Sequence, residues 1–317
     1  MKQLFKIDKS SSRALLAVEW VVLAYMAFTI ILIFFTYTTH TNPLALIGGR
    51  MQILAMMGGL WLVHYWLPCQ FTLFLRVLLQ AALLSWWYPD TYELNKVLPN
   101  LDPTFAGIDQ NIFGCQPALL LHTILPSWMA EPLHMGYYSY YLFIAVTLIY
   151  YLFWQREDFL RASFVLLTAF FAFYVIFDLI PVTGPIYYYE YAGLDSIREG
   201  LFPDAGAHFM NSQACLTMPG DKDGFFYHLV EGAHHAGERP TAAFPSSHVG
   251  CCAVMELLLL FSKKWKLSLI LLPFFILMSI ATVYIQAHYA IDAIVGLFVG
   301  TSFYFIFNTL YKKLRLW

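Results

Sequence analysis

Eight stretches of about 20 mostly apolar residues dominate the chain, at 15–37, 44–66, 70–88, 132–154, 160–181, 246–262, 267–286 and 289–311. A helix of that length covers the roughly 30 Å of hydrocarbon in a bilayer, where every backbone polar group must be satisfied within the segment. The predicted fold class is therefore all-α, a polytopic membrane helical bundle of about eight transmembrane helices. Composition points the same way. Of 317 residues 60% are hydrophobic and only 12% charged, too little charge to cover soluble domains of this length. The net charge of −2 gives no electrostatic footprint for nucleic acid, and five scattered cysteines make no disulfide framework.

Lys2, Lys6, Lys9 and Arg13 precede the first stretch as in a signal peptide, but its apolar run is too long and no small-residue cleavage site follows, so it reads as a retained span. Eight crossings put both termini on one side. That side collects Lys2, Lys6, Lys9, Arg13, Arg76, Arg156, Arg161, Lys263, Lys264, Lys266, Lys312, Lys313 and Arg315, thirteen in all, against Arg50, Lys96, Arg198, Lys222 and Arg239 on the other. The positive-inside rule then makes both termini cytoplasmic. Two long segments face the opposite side. Residues 89–131 contain an apolar run from Cys115 to Leu125, too short to span and suited to an interfacial helix or a cap. Residues 182–245 are polar and Gly-rich, and a loop of that length is usually functional or disordered. The chain divides into 1–131, N-terminal spans plus external segment, and 132–317, a catalytic core carrying the loop 182–245. The tyrosine clusters Tyr137–Tyr141 and Tyr187–Tyr191 read as an interfacial belt. Cys115 and Cys215 share a side and could pair in an oxidising compartment.

Chemistry concentrates in the last third: RPTAAFPSSHVG at 239–250, KKWK at 263–266 and QAHYAIDAIVG at 286–296. His248 opens the sixth span and His288 lies between the seventh and eighth. One helical hairpin therefore returns both to the same membrane face. His288 and Asp292, four apart, share a helix face, so the carboxylate can fix the imidazole tautomer and leave the other nitrogen free to attack. His248 is the complementary acid. Ser246, Ser247 and the free amides at the start of the sixth span form an anion-binding helix end, and Arg239 adds a forked cation. Phosphoryl transfer through a phosphohistidine uses every part. Each part alone has a plainer reading: a chance His/Asp pair, an ordinary helix cap, an Arg-Pro loop. Zinc on the histidines and Asp292, with His234 and His235 nearby, competes, but no familiar zinc spacing is present. A transporter or a non-catalytic scaffold are the rival classes; the polar groups gather at one face rather than at mid-membrane. Of the other ionisable residues, Glu256 suits a hydrogen-bonded core group, Asp178 a loop-orienting or headgroup-contacting one, and Glu19 helix–helix glue.

These segments resemble the type 2 phosphatidic acid phosphatase superfamily over 239–296, and within it the branch of inositol phosphorylceramide synthase. Pro245, Ser246, Ser247 and His248 stand where that family has Pro-Ser-Gly-His. His288 and Asp292 match the His and Asp of its third motif, whose Ser and Arg are replaced here by Ala281 and Thr282. Arg239 and Pro240 match the end of the first motif, with Gly232 at its Lys. The resemblance implies a six-helix core, His288 as nucleophile, Asp292 as its orienting carboxylate, His248 as acid, Ser246 as phosphate ligand, and no metal or organic cofactor. Fewer fixed cations suit a phosphodiester or the transfer of an inositol-phosphate-like headgroup to a ceramide-like acceptor. Phosphatase action on a lipid monoester or pyrophosphate is the alternative. His234 or His235, if protonated, could restore positive charge. The expected partner is a membrane lipid, and a bacterial inner membrane with the site on the non-cytoplasmic face is the expected setting.

Overall fold

The computed structural model describes residues 4–7, 12–38 and 42–314. Lys2, Lys9 and Arg315 of the charge tally lie outside the described residues. All regular structure among the described residues is helical. The elements are α1 (Ala17–Phe35), α2 (Pro43–Trp66), α3 (Gln70–Asn95), α4 (Asp102–Phe113), α5 (Pro117–Ile124), α6 (Ala130–Trp154), α7 (Phe159–Leu179), α8 (Pro185–Ala192), α9 (Leu194–Arg198), α10 (His208–Asn211), α11 (Phe225–Gly237), α12 (Ser247–Leu260), α13 (Lys266–Tyr284) and α14 (Ala290–Lys313). Each expected apolar stretch holds one helix. Seven of the helices are long and apolar enough to cross a membrane, which makes this an integral membrane protein.

The exception is α12. Its 14 residues rise about 21 Å, short of the hydrocarbon thickness. It is instead the enclosed centre of the bundle. Val249 to Glu256 are all buried, and α6, α7, α13 and α14 pack round it. Helices α12 and α14 approach closely because Gly250 meets Gly296 and Gly300; a Cβ at Gly300 would fall on the Gly250 backbone. In lipid, where apolar surface gives no drive to association, such small-residue contacts let helix backbones pack.

The first expected span boundary to fail is that of α3, which runs through Pro89 to Asn95 instead of stopping at 88. Partners beyond the proline hold the extension: Asn95 Nδ2 donates to Phe177 O and to Thr241 Oγ1, and Tyr92 Oη donates to Phe209 O. Two positions in the charge tally are fully buried inside the bundle. Arg50 is buried against Asp90 (2.6 Å), joining α2 to α3, and Arg76 is buried against Glu19, joining α3 to α1. Ionised groups at that depth are tolerable only when paired.

Apolar packing falls into two clusters. One fills the bundle, from Val22 on α1 to Tyr304 on α14. The other gathers α4, α8, α11 and the 281–289 turn into a cap over one end. The expected short external helix is present as α5, and α4 precedes it. Cys115 and Cys215 are both free thiols.

Candidate active site

Four helix ends meet beneath the cap. Ser246 is the N-cap of α12, its Oγ accepting from Val249 N (3.4 Å), and its own amide donates to Asp292 O (2.9 Å). The amides of Ser247 and His248 have no acceptor among the described residues, leaving an unsatisfied donor pair at a helix N-terminus. His288 sits in the turn between α13 and α14. That turn is shaped by Gln286, a non-glycine residue at φ 65°. The loop before α12 carries a second one, Ala242 at φ 64°. Sparsely populated backbone conformations of this kind persist where the surroundings over-determine them.

His248 and His288 are neighbours: His288 Nε2 lies 3.4 Å from His248 Nδ1. The other nitrogen of His288, Nδ1, is 2.7 Å from Ala243 O. A carbonyl only accepts, so Nδ1 carries the proton and Nε2 presents its lone pair toward His248. Burial pushes the His288 pKa down to about 4, so the ring is neutral near pH 7. The expected hydrogen bond from the ring to the carboxylate is absent. Asp292 Oδ2 stands 3.9 Å from Nδ1, beyond hydrogen-bond range, and accepts from Tyr289 N (2.8 Å) as the cap of α14. The reason is local: four residues apart, the pair straddles the helix start, where the carboxylate serves the orphan amide and a backbone carbonyl serves the ring.

Arg239 lines the same small cavity as both histidines, with Tyr88, Tyr137, Tyr187 and Glu238. Its Nη1 donates to Glu238 O (2.8 Å), and it has no carboxylate partner among the described residues. The cavity encloses about 20 Å³, space for one water. A larger cleft of about 710 Å³ lies beyond the Gln286 turn, lined by Gln110, His122, Arg198 and Gln286, and contains neither histidine.

Other expected residues fall outside this cluster. Asp178 turns to α1 and accepts from Tyr25 Oη (2.9 Å). His235 is exposed. His234 stacks on Tyr187 and reaches Glu238 Oε2 at 3.4 Å. Glu256 accepts from Ser268 Oγ (2.6 Å) in the bundle core.

Several neighbours of the histidine pair are not among the expected site residues. Tyr137 stacks on His248 at 4.8 Å, and Tyr140 packs on it at 4.5 Å. These rings and Tyr187 therefore line the site interior, and the belt reading fails for them. Glu238 accepts from Tyr137 Oη (3.1 Å), and burial raises its pKa. Its only sequence hints were adjacency to Arg239 and the four-residue spacing from His234. Two aspartates of α4 hold the turn that carries His288. Asp109 accepts from Ala290 N (2.8 Å) and Ile291 N (3.0 Å). Asp102 accepts from Tyr289 Oη (2.9 Å), Thr183 N (2.7 Å) and Gly184 N (2.9 Å). Both lie in the 89–131 segment, where only the run from Cys115 to Leu125 is expected to form an interfacial helix or a cap.

Fold and site together define a polytopic membrane protein with paired imidazoles and an unpaired guanidinium at converging helix ends. The chain belongs to the PAP2 superfamily, whose family model matches residues 106–306 and so spans Asp109, Arg239, His248, His288 and Asp292. That superfamily is phosphatase-type, and membership supports a lipid phosphatase-type function with a lipid substrate in a bilayer. No curated protein and no solved structure matches the chain.

Proposed function

We propose that this protein cleaves a lipid phosphate ester through a covalent phosphohistidine and passes the phosphoryl-bearing group to an acceptor hydroxyl. The 3.4 Å approach of His288 Nε2 to His248 Nδ1 carries the reading. His288 Nε2 attacks phosphorus with its lone pair. The ester P–O bond breaks, and His248 in its protonated form gives its proton to the departing oxygen. In the second half, His248 takes the proton of the acceptor hydroxyl while that oxygen attacks phosphorus and the P–N bond breaks. Ala243 O holds the His288 tautomer. Asp292 supports the turn by capping α14 and adds negative charge near the ring as the phosphohistidine forms. Arg239 and the Ser247 and His248 amides hold the phosphoryl oxygens, with Ser246 fixing the helix end.

Water as acceptor would make the protein a phosphatase. The single fixed cation favours a phosphodiester donor, and hence headgroup transfer, over a doubly charged monoester. The catalytic unit is 132–317 braced by α4, with the spans before α4 as additions. The setting is a bacterial inner membrane with cytoplasmic termini and the site on the opposite face.

The test uses purified protein in mixed micelles with a panel of labelled phospholipids, scoring free phosphate against new phospholipid. Acid-labile labelling of the wild type and its loss in His288→Ala are expected. Labelling that survives in His288→Ala rejects His288 as nucleophile.

A further inference from the structure

Glu238 is an unfavourable neighbour for a phosphate alone, because like charges repel. It nevertheless lines the cavity with both histidines, Arg239 and three tyrosines. Glu238 and Arg239, adjacent in sequence, carry opposite charges into one cavity without pairing side chain to side chain. The carboxylate meets Tyr137 Oη at 3.1 Å and His234 Nε2 at 3.4 Å, both long against the roughly 2.7–2.9 Å of strong charge-assisted bonds. The His234 ring lies over Tyr187, with centroids 5.9 Å apart and planes 21° from parallel. A nitrogen-bearing group seated on an aromatic face and against a carboxylate is the geometry in which proteins hold ammonium ions. Arg239 and His248 line the same cavity, and the unsatisfied amides of Ser247 and His248 open α12, a phosphate-binding set. The cavity thus combines an anionic group among aromatic rings with a cationic one.

On the phosphotransfer reading, we infer that the site selects a zwitterionic phospholipid headgroup. Its ammonium is taken by Glu238 and the tyrosine faces, and its phosphate by Arg239 and the α12 N-terminus. This differs from the neutral polyol headgroup that the family resemblance implies. In this arrangement the His234 ring takes the ammonium's place against the Glu238 carboxylate, at 3.4 Å. His234 lies near the end of α11, ahead of Gly237, and its side chain leaves as the headgroup enters.

Calorimetric titration of the purified full-length protein with phosphocholine and with glycerol phosphate tests this without requiring turnover. Phosphocholine is expected to bind about ten-fold more tightly. Glu238→Gln is expected to erase that preference by weakening phosphocholine alone, and His234→Ala to tighten phosphocholine by vacating the site. Equal affinity for the two ligands, no binding of either, or Glu238→Gln weakening both alike overturns the proposal. So does His234→Ala weakening both, which would make His234 a phosphate ligand. A retained phosphocholine preference in a protein that forms no phosphohistidine removes the phosphotransfer reading alone.

Discussion

His288 shows how one side chain's environment sets its chemistry. Its proton is fixed on Nδ1 by a backbone carbonyl, and burial keeps the ring neutral. Neutrality has a stability consequence whose sign is fixed. An unfolded imidazole takes up its proton near pH 6.5, whereas the folded one does so near pH 4. Between those values the unfolded imidazole holds more protons, so the His288 contribution to stability falls as pH drops from about 6.5 to about 4 and is constant outside that window. Thermal unfolding in detergent at pH 7 and pH 5 checks this: the wild type should lose more stability on acidification than His288→Asn, and equal losses would deny the burial effect. The histidines and Asp292 were legible in sequence because their spacing and hairpin placement bring them to one membrane face. Ala243 O was not, since a carbonyl leaves no mark on residue identity. The carboxylate–ring contact was over-read for the same reason: helix-face spacing says nothing of what a helix cap will take.

Individual helices were legible through hydrophobic runs, and all eight expected stretches are helical. Their ends were less so, because partners distant in sequence decide them. Pro89 suggests a stop, yet Asn95 and Tyr92 find acceptors that carry α3 onward. The α4 segment is the sharper case. Nothing in its residues marks it as part of the site, but Asp109 takes the first two amides of α14, next to His288. Removing a buried acceptor leaves those donors unsatisfied, at about 1–3 kcal/mol. Asp109→Ala should therefore lower the melting temperature and also slow phosphoenzyme formation, while Asp109→Asn, which keeps an acceptor, should recover part of both. Wild-type labelling rates in Asp109→Ala would detach α4 from the chemistry. Between helices, the Arg50–Asp90 pair predicts strong asymmetry. Asp90→Leu strands a buried guanidinium and should cost about 3–5 kcal/mol, whereas Arg50→Met with Asp90→Leu should be close to neutral, as read by denaturation in micelles.

At the scale of the whole molecule the bundle has two unlike ends. One bears the cap, the histidine pair and Arg239; the other bears Lys263, Lys264 and Arg156, with Lys263 paired to Glu157. Arg50 and Arg76 drop out of the orientation argument because each is buried in an ion pair inside the bundle. One comes off each side, so the lysine-rich end keeps its excess and the positive-inside rule still assigns it to the cytoplasm. The prediction can be read from two exposed positions, Gln213 near the cap and Lys264 at the lysine-rich end. In a background with Cys115 and Cys215 replaced by Ser, a membrane-impermeant maleimide should label Gln213→Cys in intact bacterial cells and Lys264→Cys only after lysis. The reverse pattern would place the histidine pair on the cytoplasmic face. The candidate enzyme would then act on the inner leaflet, and the charge asymmetry would reflect local ion pairing such as Lys263 with Glu157 instead of insertion.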